Sequence, residues 1–435
     1  MKPINVGLLG IGTVGGGVFA VLERNADEIA RRAGREIRIT AVADRDTERA
    51  RRLTGGAVKL TDDAFSVTND PEIDIVVELI GGVTVAKDLA LSAIESGKHL
   101  VTANKALLAV HGNELFAAAR RRDVMVAFEA AVAGGIPIIK ALREGLSANR
   151  IEWVAGIING TTNFILSEMR DKGLPFDEVL RQAQRLGYAE ADPTFDIEGV
   201  DAAHKATIMS AIAFGIPMQF DKAHIEGISR LESVDIAYAG QLGYRIKLLG
   251  IARKRPEGIE LRVHPALVPA SRLLANVEGA MNAVLVQADA VGATLYYGKG
   301  AGAEPTASAV IADLVDITRL HTADPEHRVP HLAFQPDQVL DVPVLPIEET
   351  VTSYYLRMRV LDKSGVLADI TRILADSDIS IDAMIQREAG EGESQTDIIM
   401  LTHQTVEKNA IAAIARIEAL DSVQGKVTRL RLETL

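Results

Sequence analysis

An apolar run, Ile4–Leu9, ends in Gly10-Ile11-Gly12-Thr13-Val14-Gly15, and a helical pattern follows through Ala30. A glycine-rich turn between a strand and a helix commits the chain to a dinucleotide-binding α/β unit. Gly10 permits the tight turn, Gly12 lets the backbone approach a pyrophosphate, and Gly15 allows close helix–strand packing. The helix start then faces the phosphates with unpaired N–H groups.

Further strands, Ile37–Ala43, Asp74–Leu79, His99–Thr102 and Val124–Phe128, alternate with helical stretches. That rhythm predicts a doubly wound parallel sheet of Rossmann type. The second strand ends Asp44-Arg45-Asp46. An acid there holds a ribose hydroxyl and an arginine accommodates a 2′-phosphate, so spacing alone leaves NAD and NADP both open. Thr102-Ala103-Asn104-Lys105 falls at the carboxyl end of a strand, where open sheets bind ligands. In isolation Lys105 reads sooner as a solvated loop lysine than as a contact to the nicotinamide end or the substrate.

The most informative later stretch is Gly187-Tyr188-Ala189-Glu190-Ala191-Asp192-Pro193, followed by Asp196, Asp201 and Lys205. Asp201 and Lys205 share a helix face, and Ile208 and Ile212 continue it as an apolar stripe. An exposed pair at this spacing would be worth only roughly 0.3 kcal/mol and is common. At the edge of a cleft, the same lysine can pass a proton to an oxygen while a carboxylate orients an amine. Asn159-Gly160-Thr161-Thr162-Asn163 reads as a helix start after strand Ile151–Ile158, whose free N–H groups could face a carboxylate or be met by simple capping. Glu129 to Ile136 is a small-residue segment whose carbonyls and one carboxylate could surround a hard monovalent cation. Strands Arg245–Arg253, Gly258–Val268, Asn282–Ala288 and Gly292–Tyr297 are expected to be mostly antiparallel, giving an α+β middle domain. A second glycine-rich helix start, Gly298 to Thr306, predicts that the chain returns to the cofactor.

Prolines 325, 330, 336, 343 and 346 mark a linker. Beyond it the order Tyr354–Leu361, Gly365–Asp376, Ile379–Arg387, Thr396–His403, Val406–Leu420 and Lys426–Leu432 reads βαββαβ, a ferredoxin-like split unit. Expected domains are 1–130, rejoined by about 300–322; 131–299 for substrate binding and dimerisation; a linker at 323–349; and a regulatory unit at 350–435.

Composition removes several alternatives. With no cysteine, disulfides, thiolate zinc sites and thiol catalysis are out of reach. A net charge of −12 without a dense basic block argues against nucleic acid. No membrane-length apolar segment or leader is read, so a cytoplasmic location is expected.

Taken together, these segments resemble the long-form homoserine dehydrogenases, which carry a C-terminal ACT domain. The resemblance spans nearly the whole chain. Its most specific parts are Gly187–Pro193 through Lys205, Thr102–Lys105, Asn159–Asn163 and Gly300–Thr306. It implies reversible NAD(P)H-dependent reduction of L-aspartate 4-semialdehyde to L-homoserine, in the biosynthesis of threonine, methionine and isoleucine. Under it, Lys205 is the proton donor, and Lys105 contacts the cofactor or helps carry the proton. Glu190 and Asp201 hold the substrate amine, with Asp196 and Thr161 in the same pocket. Gly10, Gly12, Thr13, Val14, Gly15, Arg45, Gly187 and Gly302 line the cofactor, with NADP expected and NAD possible. Glu129 and the carbonyls of Val132, Gly134 and Ile136 resemble the family's sodium site. Asp362, Ser364, Gly365 and Val366 resemble an ACT effector loop, with L-threonine the family's usual inhibitor. A homo-oligomer, dimer or tetramer, is expected.

Two related enzymes fit less well. Aspartate-semialdehyde dehydrogenase needs a thiol that this chain lacks, and phosphoglycerate dehydrogenase would use a His/Glu pairing in place of the lysine–carboxylate motif. A non-catalytic amino-acid sensor on the same fold would bind cofactor without turnover.

Overall fold

A computed structural model describes residues 2–386 and 394–435. The N-terminal part contains β1 (Ile4–Leu9), β2 (Ile37–Ala43), β3 (Lys59–Thr61), β4 (Ile75–Glu78), β5 (His99–Thr102) and β6 (Val126–Ala127). Between them run α1 (Thr13–Arg24), α2 (Ala26–Ala33), α3 (Thr47–Thr54), α4 (Ala64–Thr68), α5 (Val85–Glu95) and α6 (Lys105–Arg121). The strands pair in parallel in the order β3-β2-β1-β4-β5-β6. Strand order reverses between β1 and β4, which places the ligand crevice outside their carboxyl ends. Val6, Leu8, Val42, Ile75 and Val77 are buried on one side and Leu9, Ala41, Val76 and Leu100 on the other. Both faces are covered, as parallel sheets require.

Three local differences from the sequence reading have simple causes. The single helix expected through Ala30 breaks at Asn25, whose φ of −110° and ψ of 20° separate α1 from α2. The strand Val124–Phe128 shortens to two residues, because the amide of Met125 turns to His99 Nδ1 at 2.9 Å. β3 is too short and polar to show an alternating pattern.

The middle part holds α7 (Ile138–Lys140), β7 (Ile151–Ile157), α8 (Gly160–Lys172), α9 (Phe176–Arg185), α10 (Thr194–Ile197) and α11 (Val200–Phe214). It continues with β8 (His224–Ile225), α12 (Ser233–Gln241), β9 (Tyr244–Lys254), β10 (Ile259–Pro269), β11 (Met281–Ala288) and β12 (Gly292–Lys299). β12, β11, β7, β9 and β10 pair antiparallel in that order; the antiparallel character of β9 to β12 is as the sequence predicts, and the central place of β7 is added by the structure. α11 is buried almost end to end beneath this sheet. α13 (Ala303–Leu320) then returns to the first sheet, where Ala307, Val310 and Leu314 join its core.

The C-terminal part comprises β13 (Val351–Leu361), α14 (Val366–Asp376), β14 (Ile381–Gln386), β15 (Gln395–Thr402), β16 (Thr405–Val406), α15 (Glu407–Glu418) and β17 (Val423–Leu432). Arg387, the last residue of the expected strand Ile379–Arg387, lies outside the described residues. The order β17-β13-β15-β14 is the ferredoxin-like arrangement. This sheet is continuous with the middle one. β17 pairs with β10 in parallel through Ala266 with Arg431 and Leu267 with Leu432. The proline-rich stretch also adheres to the middle sheet, with the amide of Ile259 donating to Pro343 and that of Leu345 to Ile259.

Candidate active site

The nucleotide end is built on Gly10 and Gly15. Gly10 has φ +89°, and its amide donates to the Ala43 carbonyl at 2.8 Å. A Cβ on Gly15 would fall 2.1 Å from the Gly10 carbonyl oxygen, so only glycine closes this turn. Gly12 faces open space, and the first turn of α1, with Thr13 and Val14, carries no acidic side chain and no side-chain cap. Its N–H groups are therefore available to an anion.

Asp44 has a bracing task that spacing did not reveal. One carboxylate oxygen accepts the amide of Ile11 at 2.8 Å, and the other accepts that of Asp46 at 2.9 Å. Arg45 beside it is exposed and forms no ion pair among the described residues.

Glu78, at the carboxyl end of β4, is a residue the sequence reading missed. It is fully buried and accepts from Thr102 Oγ1 at 2.6 Å and from the amides of Ile80 and Gly81 at 2.9 and 3.2 Å. Burial pushes its carboxyl above the usual range, and these hydrogen bonds oppose that. The available signal was an acid ending the wholly apolar run Ile75–Val77. Thr102 Oγ1 also takes the amide of Asn104, and Asn104 caps α6 through the Leu107 amide. This chain of contacts fixes Lys105 as the first residue of α6.

Around Asp201 the structure gathers groups from four segments. Lys205 Nζ lies 2.7 Å from Asp201 Oδ2 and 2.7 Å from the Ile158 carbonyl oxygen. Lys105 Nζ lies 3.2 Å from Asp201 Oδ1. Asn159 Nδ2 donates to Asp196 at 2.7 Å and to Asp201 at 2.8 Å. Thr161 Oγ1 lies 3.1 Å from Asp196 Oδ2 and donates to the Tyr188 carbonyl at 2.6 Å. Lys205 is 11% exposed and Lys105 33%. An ammonium has three donors, and two of those on Lys205 are used, so one remains for a ligand.

The electrostatics follow from burial and neighbours. Burial lowers the basicity of Lys205, while Asp201 raises it and Lys105 lowers it further. Burial works against the charge on Asp201, yet Lys205 and Lys105 together hold its carboxyl at about 2. Asp196 is pushed up, first by burial and then by Asp201. His204, with its ring centroid 5.4 Å from Phe195 and 4.3 Å from Phe220, is held near 4 by burial and stays neutral. The cluster can deliver a proton from a cation whose charge is only half neutralised by a shared carboxylate.

Glu190 is not drawn into this cluster. It is exposed, and only its carbonyl is engaged, accepting from Gln184 Nε2 at 3.1 Å. The loop carrying it begins at Gly187, with φ +78°, and is pinned by Tyr188, whose ring lies 4.6 Å from that of Phe164. Gly302, with φ +130°, precedes α13.

Glu129 is buried, and its two oxygens accept the amides of Ile139 and Lys140 at 2.9 and 2.8 Å. Burial pushes its carboxyl up to about 7, against those amides and the charge of Arg143. Ala133 has φ +51°, and the Ile136 carbonyl accepts the Ile138 amide. The carbonyls of Val132 and Gly134 accept no hydrogen bond among the described residues. A buried carboxylate and two free carbonyls within six residues are the groups of this segment that could hold a hard cation. Among the described residues no cluster of three His, Cys, Asp or Glu side chains could hold a metal.

In the C-terminal part, Asp362, Ser364 and Gly365 lie exposed in the turn between β13 and α14, and Val366 is buried as the first residue of α14. Among the described residues no helix is long and apolar enough to cross a membrane.

Comparison with known proteins agrees with this geometry. Residues 10–129 match the homoserine dehydrogenase NAD-binding domain, 137–315 the homoserine dehydrogenase domain and 354–421 the ACT domain. The chain is 62% identical to a homoserine dehydrogenase of Pseudomonas aeruginosa over the full length of both. The crystal structure of a homoserine dehydrogenase from Thiobacillus denitrificans matches with 71% identity and a TM-score of 0.96, covering 100% of this chain and 99% of that one. A hyperthermophilic archaeal homoserine dehydrogenase in complex with NADPH matches at 25% identity and a TM-score of 0.63, covering 74% of this chain and 99% of that one. The chain is a member of the homoserine dehydrogenase family, an NAD(P)-dependent oxidoreductase with a Rossmann-type domain, a mixed-sheet catalytic domain and an ACT domain.

Proposed function

We propose that the enzyme reduces L-aspartate 4-semialdehyde to L-homoserine reversibly and prefers NADP(H). The observation that carries this reading is the sharing of Asp201 by two lysines, with one donor of Lys205 left over. When bound, the reduced nicotinamide supplies the hydride. Lys205 then gives its proton to the nascent alkoxide and, in reverse, takes the hydroxyl proton as a neutral amine. Lys105 adds positive charge at the same place and stabilises the oxyanion. Asp201 holds both lysines, and Asp196, Thr161 and Asn159 shape the pocket for the substrate amine. Glu190 would join them on inward closure of the loop that begins at Gly187.

For the cofactor, Gly10, Gly12, Thr13, Val14 and Gly15 would receive the pyrophosphate, with Gly187 and Gly302 bordering it. Arg45, free of ion pairs, suits a 2′-phosphate, and Asp44 is already engaged with Ile11 and Asp46. The NADPH bound by the archaeal relative supports that preference. Glu129, with the carbonyls of Val132, Gly134 and Ile136, would hold sodium. The pathway assignment to threonine, methionine and isoleucine follows from the product. Control by L-threonine through Asp362, Ser364, Gly365 and Val366, a homo-oligomer and a cytoplasmic location belong to the same reading. So does its division into a nucleotide domain, a substrate domain, a linker and an ACT unit.

The test is absorbance at the reduced-nicotinamide band with L-homoserine and NADP or NAD at alkaline pH. Homoserine-dependent reduction, faster with NADP, is expected. Folded protein that binds cofactor and reduces neither would overturn the assignment.

A further inference from the structure

The segment Glu226–Ile228 follows β8 and lies against Ile197–Gly199, the turn that joins α10 to α11 and separates Asp196 from Asp201. The Ile228 amide donates to the Ile197 carbonyl at 2.8 Å. A Cβ on Gly227 would fall 2.4 Å from that oxygen and 2.5 Å from Glu198 Cα, so the two backbones touch with no room for a side chain. The same segment is held from the other side by the ACT domain. Glu226 accepts from Arg431 through two bonds of 2.9 Å and from Arg429 at 3.3 Å, and pairs with His224 at 2.8 Å. Arg431 is almost fully buried and also bonds Glu407 at 2.7 and 2.9 Å. A cleft of about 990 Å³ between the two domains opens beside this clamp, with Glu198, Glu226, Arg230 and Arg429 in its wall.

We infer that Glu226 is a positioning residue for the reaction, through which the last strand of the ACT domain sets where Asp196 and Asp201 stand relative to Lys205. The inference rests on the reading of Lys205 as proton donor. Its physical basis is stiffness. Charge-assisted bonds to a buried guanidinium, here Arg431, resist sliding, and a backbone contact without side chains passes displacement on directly. Movement of β17 therefore reaches Glu226, then Gly227 and Ile228, then Ile197–Gly199. Glu226 itself is no switch. Burial would raise its carboxyl, but His224 and Arg431 hold it well below the usual carboxylate range. The groups facing Lys205 are Asp201, Lys105 and Asp196, with His204 next to it on α11; Asp196, in α10, and Asp201, in the first turn of α11, flank the clamped turn, and Lys105 stands apart on α6.

The experiment uses the full chain carrying Glu226→Gln, with two readouts. In hydrogen–deuterium exchange, amides within 197–201 should exchange about fivefold faster or more, as expected when a local contact is loosened. In homoserine oxidation, turnover should fall about tenfold. The acid limb of kcat should also move to lower pH, because Lys205 loses part of the support of Asp201. NADPH affinity, set by Gly10–Gly15, should stay within a factor of about two. Wild-type exchange in the turn together with a wild-type pH profile, in a folded variant, overturns the inference, even if thermal stability falls. Should Glu226→Gln not fold, Arg429→Gln, on the rim of the clamp, is read the same way, with smaller shifts in the same direction. Absence of homoserine turnover in the unaltered chain would instead refute the proposed reaction, while the exchange result would still decide the clamp.

Discussion

Lys105 Nζ lies 3.2 Å from Asp201 Oδ1, joining the end of the nucleotide-binding sheet to the helix that carries Lys205. Lys205 occupies the other oxygen of that carboxylate at 2.7 Å. One negative charge thus serves two positive ones, and a net positive charge is left where an alkoxide would form. In a largely buried site such a surplus is worth far more than in water.

Replacing Lys205 tests its role most directly. In Lys205→Ala, Asp201 keeps Lys105 as its partner, so the buried carboxylate is not stranded and the fold should persist. Turnover should drop roughly 10²–10⁴-fold with cofactor affinity nearly intact, the usual loss for a general acid. Steady-state kinetics beside NADPH fluorescence titration separate the two, and near-normal turnover would remove Lys205 from the mechanism.

The pH profile follows from the sign of the Lys205 shift. Burial lowers its pKa, so homoserine oxidation, which needs the neutral amine, should rise through a limb below the ordinary lysine value of about 10.4. Asp201→Asn removes the carboxylate that raises Lys205 and should move that limb lower still. A profile that stays flat from roughly pH 7 to 10 would count against an amine as base.

Cofactor choice should turn on Arg45. Because its guanidinium is unpaired among the described residues, Arg45→Ala should raise KM for NADP about tenfold or more and leave KM for NAD nearly unchanged. Parallel kinetics with both cofactors read the ratio. Equal losses for both would assign Arg45 to general surface charge.

Sodium should reveal itself in stability. The Glu129 carboxyl, raised to about 7 in the folded chain, favours its protonated form there. Without a compensating cation, stability is therefore greatest below the unfolded value and falls as pH rises toward 7. The loss is about 3 kcal/mol from this group, upper-bounded by the shift. Thermal unfolding in choline buffer should show that decline, sodium should reverse it, and Glu129→Gln should abolish both. Identical melting curves in choline and sodium would argue that no cation binds at Glu129.

Much of this was legible in the sequence where the governing contacts are local. The Gly10–Gly15 turn, the buried Val/Ile strands and the Asp201/Lys205 face depend on residues a few positions apart. So does the βαββαβ order. The brace from Asp44 to Ile11 was not legible, because a carboxylate after β2 has no local pattern that marks its partner. Glu78 was hidden for the same reason. Glu190 sits within the most specific motif yet stands apart from the cluster, since motif spacing does not fix how far a loop folds inward. Least legible was the pairing of β10 with β17. It joins residues far apart in sequence through only Ala266, Leu267, Arg431 and Leu432, and alternation within either strand cannot say which neighbour it takes.

That pairing also bears on how the chain could be shortened. The archaeal relative aligns with 74% of this chain, so about a quarter of the chain lies outside the fold the two share. Here, however, excision after residue 349 would strip β17 from β10 and expose its unpaired backbone as an edge strand. It would also take away Glu433, one of the two carboxylates paired with the buried Arg262, leaving Glu260 as its remaining partner. An open edge invites association with other chains, and halving the compensation of a buried charge weakens the fold. In this protein the ACT domain therefore serves as the cover of the catalytic sheet, whatever it senses.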